Sequence, residues 1–422
     1  MSRLVHVVGA GLAGLAAAVQ LQRRGARVVL HEASGQAGGR CRSYYDAKLG
    51  ATIDSGNHLM MSGHAATLNY ARAIGASDEL TGPALPEFPF VDLATHARWV
   101  VRMSSGRLPW WIFDQTARVP NTVPTDYLSL VPLLFAKPGR SVAHTMRGQG
   151  ALWDRLLAPL FRAMLNVEPR DGSAELTAAM LRDTLFAGGA ACRPLVARNG
   201  LSRAFVDPAL RLLQHGGASI ELGSRLEKMV FAANASRVET LHFAEKSIAL
   251  DANQGVILAV PPDVAGTLVP GLRAPTRFAA TASVFFATEP PFGMPLVTGL
   301  LNGTAQWLFA SDGRLSVTVY AAESLLETPH EELAARLWRE VAEAARLPAA
   351  PMPAWQVVVE RRATFAALPD QETLRPGTRT RWNNLMLAGD WTATGLPATI
   401  EGAIRSGRQA ADTLLNKPME RR

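Results

Sequence analysis

Gly9, Gly11 and Gly14 stand at the spacing G-x-G-x-x-G within "HVVGAGLAGLAAAVQL" (residues 6–21), and Glu32 follows 18 residues after the last of them. Three glycines and a carboxylate so placed can hold a dinucleotide. Gly9 permits a tight turn, Gly11 lets the main chain approach a pyrophosphate, and Gly14 lets a following helix pack closely on a strand. The helix N-terminus, at Leu12 and Ala13, turns free N–H groups toward the phosphates. Glu32, with Ala33 beside it, can accept hydrogen bonds from a ribose 2′-hydroxyl, and its charge disfavours the 2′-phosphate of NADP.

That chemistry requires a strand, a glycine turn, a helix and a second strand. Leu4–Val8 is a short apolar run, Leu15–Leu21 continues at helical spacing up to "RRG" (23–25), and "RVVLHEA" (27–33) is a second apolar strand. An apolar stretch this early could also be the core of a secretory signal, but a signal needs a small-residue cleavage site and has no use for the second strand. The expected unit is βαβ.

Composition bounds the rest. The chain has 422 residues, 48% hydrophobic and 19% charged, enough for a large core and two domains. Its two cysteines, Cys41 and Cys192, stand alone, which excludes a disulfide framework and cysteine-based metal spacing and fits a reducing compartment. The net charge of +7 comes from scattered arginines, with no run of like charges and no basic–aromatic patch, so nucleic acid is not an expected partner, while attraction to an anionic membrane surface stays open. A bilayer span needs about 20 apolar residues. The best run, "YLSLVPLLFA" at 127–136, is half that length and contains Pro132, so no span is expected.

Two further blocks narrow the cofactor. "GQAGGRCRS" (35–43) resembles the extension that follows the acidic residue in the FAD-containing amine oxidase and phytoene desaturase superfamily, and "LMLAGDWTATGLPATIEGAIRSGRQAADTLL" (385–415) resembles that superfamily's closing flavin motif. The resemblance implies FAD. It puts Gly38, Gly39 and Arg40 at the pyrophosphate, Gly389 and Asp390 at the ribityl hydroxyls, and the main-chain N–H groups of Thr399 and Ile400 at the flavin O2, where a helix beginning near Pro397 points its positive end. It also puts a main-chain contact to adenine at Leu226, on the Leu226–Phe231 strand, and "VILAVPP" looks like the strand completing the nucleotide-binding sheet.

The implied fold class is α/β: a discontinuous Rossmann-like FAD-binding domain at 1–82, 197–268 and 378–417, and an α+β substrate-binding domain at 83–196 and 269–377. Within the superfamily, an amine oxidase would carry a lysine on the strand "AATASVFFATEPPF" (279–292) and a tyrosine at position 399; neither is present. A carotenoid-type desaturase is the second possibility, since "TIDSGNHLMMSGH" (52–64) resembles the D-x-G-x-H stretch that passes close to the flavin and so brings Gly56, Asn57 and His58 to it. Taken with "LLFAKPGRSVAHTM" (133–146) and "MLNVEPRDGSAELTAAMLRDTLFAG" (164–188), the chain resembles most the squalene-associated FAD-dependent dehydroxylases of bacterial hopanoid synthesis.

For that group the reaction is reductive: hydride from reduced FAD replaces an allylic hydroxyl of hydroxysqualene, which leaves as water, giving squalene. His58 and His64 are the candidate general acids, and Asp54 is expected to fix the loop. No metal is called for. The implied partners are a long apolar isoprenoid, an external reductant, neighbouring enzymes of squalene and hopanoid synthesis, and the cytoplasmic face of the inner membrane. "LPWWIFDQTARVPNTVPTDYLSLVPLLFAKPGR" (108–140) could dip into that membrane, cover the substrate tunnel, or both. A non-catalytic isoprenoid carrier is the alternative of another class, and the full set of flavin motifs opposes it.

Overall fold

The Leu4–Val8 strand pairs in parallel with Arg27–His31 on one side and Gly255–Leu258 on the other, and the Leu12–Arg23 helix connects the first two. In the computed structural model, which describes residues 3–234 and 236–416, these strands belong to a five-stranded parallel sheet. Its order is Ser219–Glu221, Arg27–His31, Leu4–Val8, Gly255–Leu258, Leu385–Leu387. Residues 1, 2, 235 and 417, parts of the sequence analysed above, lie outside the described residues.

One expectation is corrected here. The Gly255–Leu258 strand does not complete the sheet: Leu385–Leu387 pairs along its outer side. Both runs are fully buried and apolar, so composition cannot say which is the edge. Leu226–Phe231 lies in a separate three-stranded antiparallel sheet with Val238–Phe243 and Ser247–Ala249.

The closing helix spans Ile400–Leu415 and starts after Pro397 because the Thr399 hydroxyl caps it, accepting from the Gly402 N–H at 3.0 Å. It lies directly on the first helix, where a Cβ at Gly407 would come within 2.0 Å of the Ala13 carbonyl oxygen. Buried Ala13, Ala16 and Ala17 offer the small surface this approach requires.

A second, mixed sheet of seven strands runs Trp355–Phe365, Phe278–Phe286, Arg314–Tyr320, Trp307–Ser311, Val297–Leu301, Glu87–Asp92, Arg98–Arg102. Alternation divides its faces. Val284, Phe286, Val317 and Val319 pack with Leu337 and Trp338 of the His330–Ala345 helix, while Ser283, Phe285, Ser316 and Thr318 turn to the opposite side. Phe90 and Trp307 belong to a core shared with short helices, among them Trp111, Tyr127 and Phe161. Cys41 and Cys192 are both buried and free, and burial pushes each thiol up to about 12, far from the reactive range.

The parallel sheet contains a buried histidine pair. His6 Nδ1 lies 3.1 Å from His31 Nε2, His31 Nδ1 lies 2.9 Å from Glu221 Oε2, and Lys246 Nζ reaches the same carboxylate at 2.6 Å. A carboxylate only accepts, so His31 donates from Nδ1, accepts at Nε2, and His6 donates to it; both rings are then neutral. Burial pushes both imidazoles down to about 4. The unfolded chain, titrating at the ordinary 6.5, therefore takes up protons first. The neutral pair stabilises the fold fully above that pH, and the contribution is lost as pH falls toward 4, at most about 3 kcal/mol for each ring. Urea midpoints are expected to drop steeply between pH 7 and pH 4.5, and the drop should be smaller in His6→Leu; equal pH dependence of the two proteins would refute this.

Candidate active site

The glycines meet at the N-terminus of the first helix. Gly9 has φ +102°, and a Cβ there would lie 2.4 Å from the Ala259 carbonyl oxygen; a Cβ on Gly14 would lie 1.8 Å from the oxygen of Gly9. Gly11 differs. It caps the helix with φ −72°, its Cβ would meet nothing within 4 Å, and it bridges to Gly38, whose N–H donates to the Ala10 carbonyl at 2.8 Å. A Cβ on Gly39 would stand 3.4 Å from the Gly11 Cα. Gly11, Gly38 and Gly39 thus form a bare main-chain cradle at a helix's positive end, which fits a pyrophosphate. Leu12 and Ala13 are buried behind it.

Glu32 stands at the side of this cradle, just past the end of its strand. Its Oε2 accepts from the Ala10 N–H at 2.8 Å and its Oε1 from the Ser34 N–H and hydroxyl, both at 2.9 Å, which leaves acceptor capacity for a ribose. Ala33 is exposed. The Glu32 carbonyl accepts from the Ser224 N–H at 2.7 Å, bringing the approach to Leu226 alongside. Leu226 itself is buried and paired with Phe243.

The closing block folds back onto the same place. Gly389, at φ +143°, leaves room for the Trp391 indole and donates its N–H to Ser406 of the closing helix at 2.8 Å. Asp390, buried, accepts both of its hydrogen bonds from one nitrogen of Arg40, at 2.8 and 2.7 Å. Arg40 also donates to the Ala363 carbonyl at 2.6 Å, and the Asp390 charge holds its guanidinium above the usual value. The two flavin motifs, 350 residues apart, are therefore joined by an ion pair, in which Arg40 and Asp390 answer each other.

Nothing in the sequence signalled Arg375. Its fully buried guanidinium donates to the carbonyls of Asp390 and Thr392, to the Thr394 hydroxyl at 2.8 Å and to Glu372 at 2.7 Å, and so shapes the loop between Gly389 and the closing helix. Glu401, also fully buried, accepts from the Ala66 N–H, the Thr67 N–H and hydroxyl, and Arg405. It ties the start of the closing helix to the Ala65–Ala73 helix. Ile400 is buried beside it.

Residues 54–64 run between the two sheets. Asp54 fixes the loop: it accepts from the Ser43 hydroxyl at 2.5 Å and the Leu201 N–H at 2.8 Å. Gly56 faces Ser283, and Asn57 donates to Thr318 at 3.0 Å and accepts from Ser316 at 2.9 Å. Three buried hydroxyls on the seven-stranded sheet thus meet the flavin-approach segment, a match that only strand register reveals. Tyr320, two residues beyond Thr318 on the same face, makes no hydrogen bond through its hydroxyl among the described residues, and burial pushes that hydroxyl up to about 12.

The two histidines have different surroundings. His58, half-buried, sits by the Arg40 main chain; burial lowers its imidazole against the pull of Asp54. His64 is buried at the start of the Ala65–Ala73 helix, where its Nδ1 accepts from the Met61 N–H at 3.2 Å. Burial lowers it too, with Glu401 and Asp183 opposing and Arg405 assisting. His64 therefore belongs with the ion network of Glu401, Arg405 and Asp183, in which Arg405 reaches Asp183 at 2.6 Å.

The profile of the flavin containing amine oxidoreductase family matches residues 12–415. The chain is 50% identical over 416 residues to the hydroxysqualene dehydroxylase of Rhodopseudomonas palustris, covering 98% of this chain and 99% of that protein, and 49% identical to the hydroxysqualene dehydroxylase of Sinorhizobium fredii, covering 99% of each. The 15-cis-phytoene desaturase of Narcissus pseudonarcissus is more distant, at 24% identity over 97% of this chain and 79% of that one. Among solved structures, putrescine oxidase bound to putrescine superposes with a TM-score of 0.73 at 17% identity, over 99% of this chain and all of that one, a likeness of fold.

Proposed function

Because the chain belongs to the flavin-containing amine oxidoreductase family, we propose that it is an FAD-dependent oxidoreductase that dehydroxylates hydroxysqualene to squalene. The observation that carries this reading is identity of 50% from end to end with a hydroxysqualene dehydroxylase. The desaturase alternative rests on 24% identity, and the lysine and tyrosine of an amine oxidase are missing.

When bound and reduced, FAD supplies the hydride. The substrate's C–O bond breaks, a C–H bond forms at the same carbon, and the hydroxyl takes one proton and departs as water. The cradle of Gly11, Gly38 and Gly39, with Glu32 and Ala33 at the ribose and the Leu226 main chain at the adenine, holds the nucleotide end. Asp390 and Arg40 hold the middle, and the capped end of the Ile400–Leu415 helix stabilises negative charge, with Thr399 and Ile400 offering N–H groups. Gly56, Asn57 and His58 would line the reacting end, on a segment that the hydroxyls of Ser316 and Thr318 hold through Asn57.

His58 is the proposed proton donor, and His64 a positioning residue that braces the closing helix. Since burial lowers the His58 imidazole below 6.5, the protonated form that can act as acid grows as pH falls. Turnover should accelerate below pH 6.5, and His58→Gln should remove that limb of the profile. An unchanged profile in His58→Gln, with turnover lost at every pH in Tyr320→Phe, would transfer the role to Tyr320, which burial keeps protonated across this range.

The decisive experiment is anaerobic. The flavin is reduced, hydroxysqualene is added, and lipid is extracted as the flavin reoxidises. One squalene for each flavin reoxidised is the expected result; no reaction there, with bleaching of the oxidised flavin by phytoene, would make the protein a desaturase. The reductant is proposed to be external, since no second nucleotide motif is present in the sequence. Direct reduction of the isolated protein by NADPH would overturn that. A substrate this apolar is drawn from a membrane, and the protein is proposed to work at the inner membrane's cytoplasmic face beside the enzymes before and after it. Among the described residues no helix is long and apolar enough to cross a membrane, and the contact proposed is a peripheral one.

A further inference from the structure

Residues 108–135 have two apolar faces where a covering segment needs only one. Inward, Trp111 packs edge-on against Tyr127 at 5.2 Å, and Leu130 and Leu133 join the main core. Outward, Trp110 and Phe113 stand together, 6.1 Å between ring centres, with Leu128, Val131, Leu134 and Phe135 exposed after them. Of the twelve large hydrophobic residues exposed on the described surface, eight lie in this stretch, and Phe135 is 76% exposed. Short helices hold them in place: Asp114 accepts from the Thr116 N–H at 2.8 Å and Asp126 from the Val123 N–H at 2.8 Å, so the side chains are presented by a fixed scaffold.

The charge around them has one sign. Residues 104–150 carry five basic side chains, Arg107, Arg118, Lys137, Arg140 and Arg147, against two acidic ones, Asp114 and Asp126, which make the local hydrogen bonds just described. All but Arg118 of the five are exposed. Aromatic and aliphatic side chains at the centre with arginine and lysine beside them match the boundary of an anionic bilayer, where rings lie at the headgroup level and cations meet lipid phosphates. A second copy of the chain fits less well, since a two-fold contact would bring one basic surface against another.

We propose that the outward face of residues 108–135 docks on an anionic lipid bilayer, with Trp110, Phe113, Leu128 and Phe135 seated among the headgroups. The proposal gives the peripheral contact of the preceding reading a place on the molecule, and vesicle binding is measured without turnover, so that either can fail alone.

The flavin-loaded protein is sedimented with vesicles of phosphatidylcholine and with vesicles of phosphatidylcholine and phosphatidylglycerol in equal parts. Binding is expected to the mixed vesicles, weaker at high salt. The variant Trp110→Ser/Phe113→Ser/Phe135→Ser should lose roughly tenfold or more in affinity with unchanged melting temperature and flavin content, since all three side chains are exposed. Absence of binding, equal binding to both vesicles, or a variant that binds as well as the parent would overturn the proposal. So would a parent that is dimeric without lipid and turned monomeric by the variant, which would assign the face to a second copy.

Discussion

Gly11→Val is expected to leave the apoprotein folded and to weaken FAD binding on the order of a hundredfold, about 3 kcal/mol. Gly11 has ordinary φ of −72° and ψ of 177°, which valine adopts without strain, and a Cβ there would meet nothing within 4 Å. The cost to the fold is the loss of a good helix cap, about 1 kcal/mol. The new side chain would instead stand in the cradle formed with Gly38 and Gly39, where a pyrophosphate must approach the main chain. Flavin absorbance of the purified variant and the melting temperature of its apo form separate the two effects. Gly14→Val is the contrasting variant: its Cβ would press within 1.8 Å of the Gly9 oxygen, and it should fail to fold whether or not FAD is supplied. Wild-type flavin content in Gly11→Val would remove this glycine from the cofactor site.

Glu401→Ala is expected to cost about 3–5 kcal/mol of stability. Burial alone would push the Glu401 carboxyl up, yet the Ala66 and Thr67 donors and the neighbouring His64 hold it below the ordinary 4.5. Removing it strands two main-chain N–H groups and the Thr67 hydroxyl at a buried junction and leaves Arg405 with Asp183 as its remaining carboxylate partner. Glu401→Gln keeps an acceptor and should lose about half as much. Because the folded pKa is lowered, the native carboxylate contributes fully above pH 4.5 and progressively less as pH falls below it. Denaturant midpoints at pH 7 measure both variants; a loss under about 1 kcal/mol in Glu401→Ala would mean the helix junction relaxes around the gap.

The closing helix shows how closely local signals track the fold. A threonine followed by "IEGAIRSG" marks a start, and the hydroxyl of Thr399 caps it there; Pro397, three residues earlier in the expectation, falls in the preceding loop. The Gly255–Leu258 strand shows the limit, since an apolar run buried on both faces looks the same at an edge as inside it.

What the sequence determined by itself was whatever depends on a few adjacent residues. The positive φ of Gly9, the close packing at Gly14 and the carboxylate of Glu32 are local steric and charge requirements, and their spacing spelled out a dinucleotide fold, while the family resemblance of the blocks at 35–43 and 385–415 implied its flavin. Only the tertiary structure decided which distant groups face each other. It set Arg40 on Asp390, placed Arg375 under the flavin loop, and gave His58 and His64 separate neighbours. It also divided residues 108–135 into an inner and an outer apolar face. The reason is that partners hundreds of residues apart are chosen by how whole helices and strands pack, and hydrophobic periodicity records that a side chain is apolar, not which surface it meets.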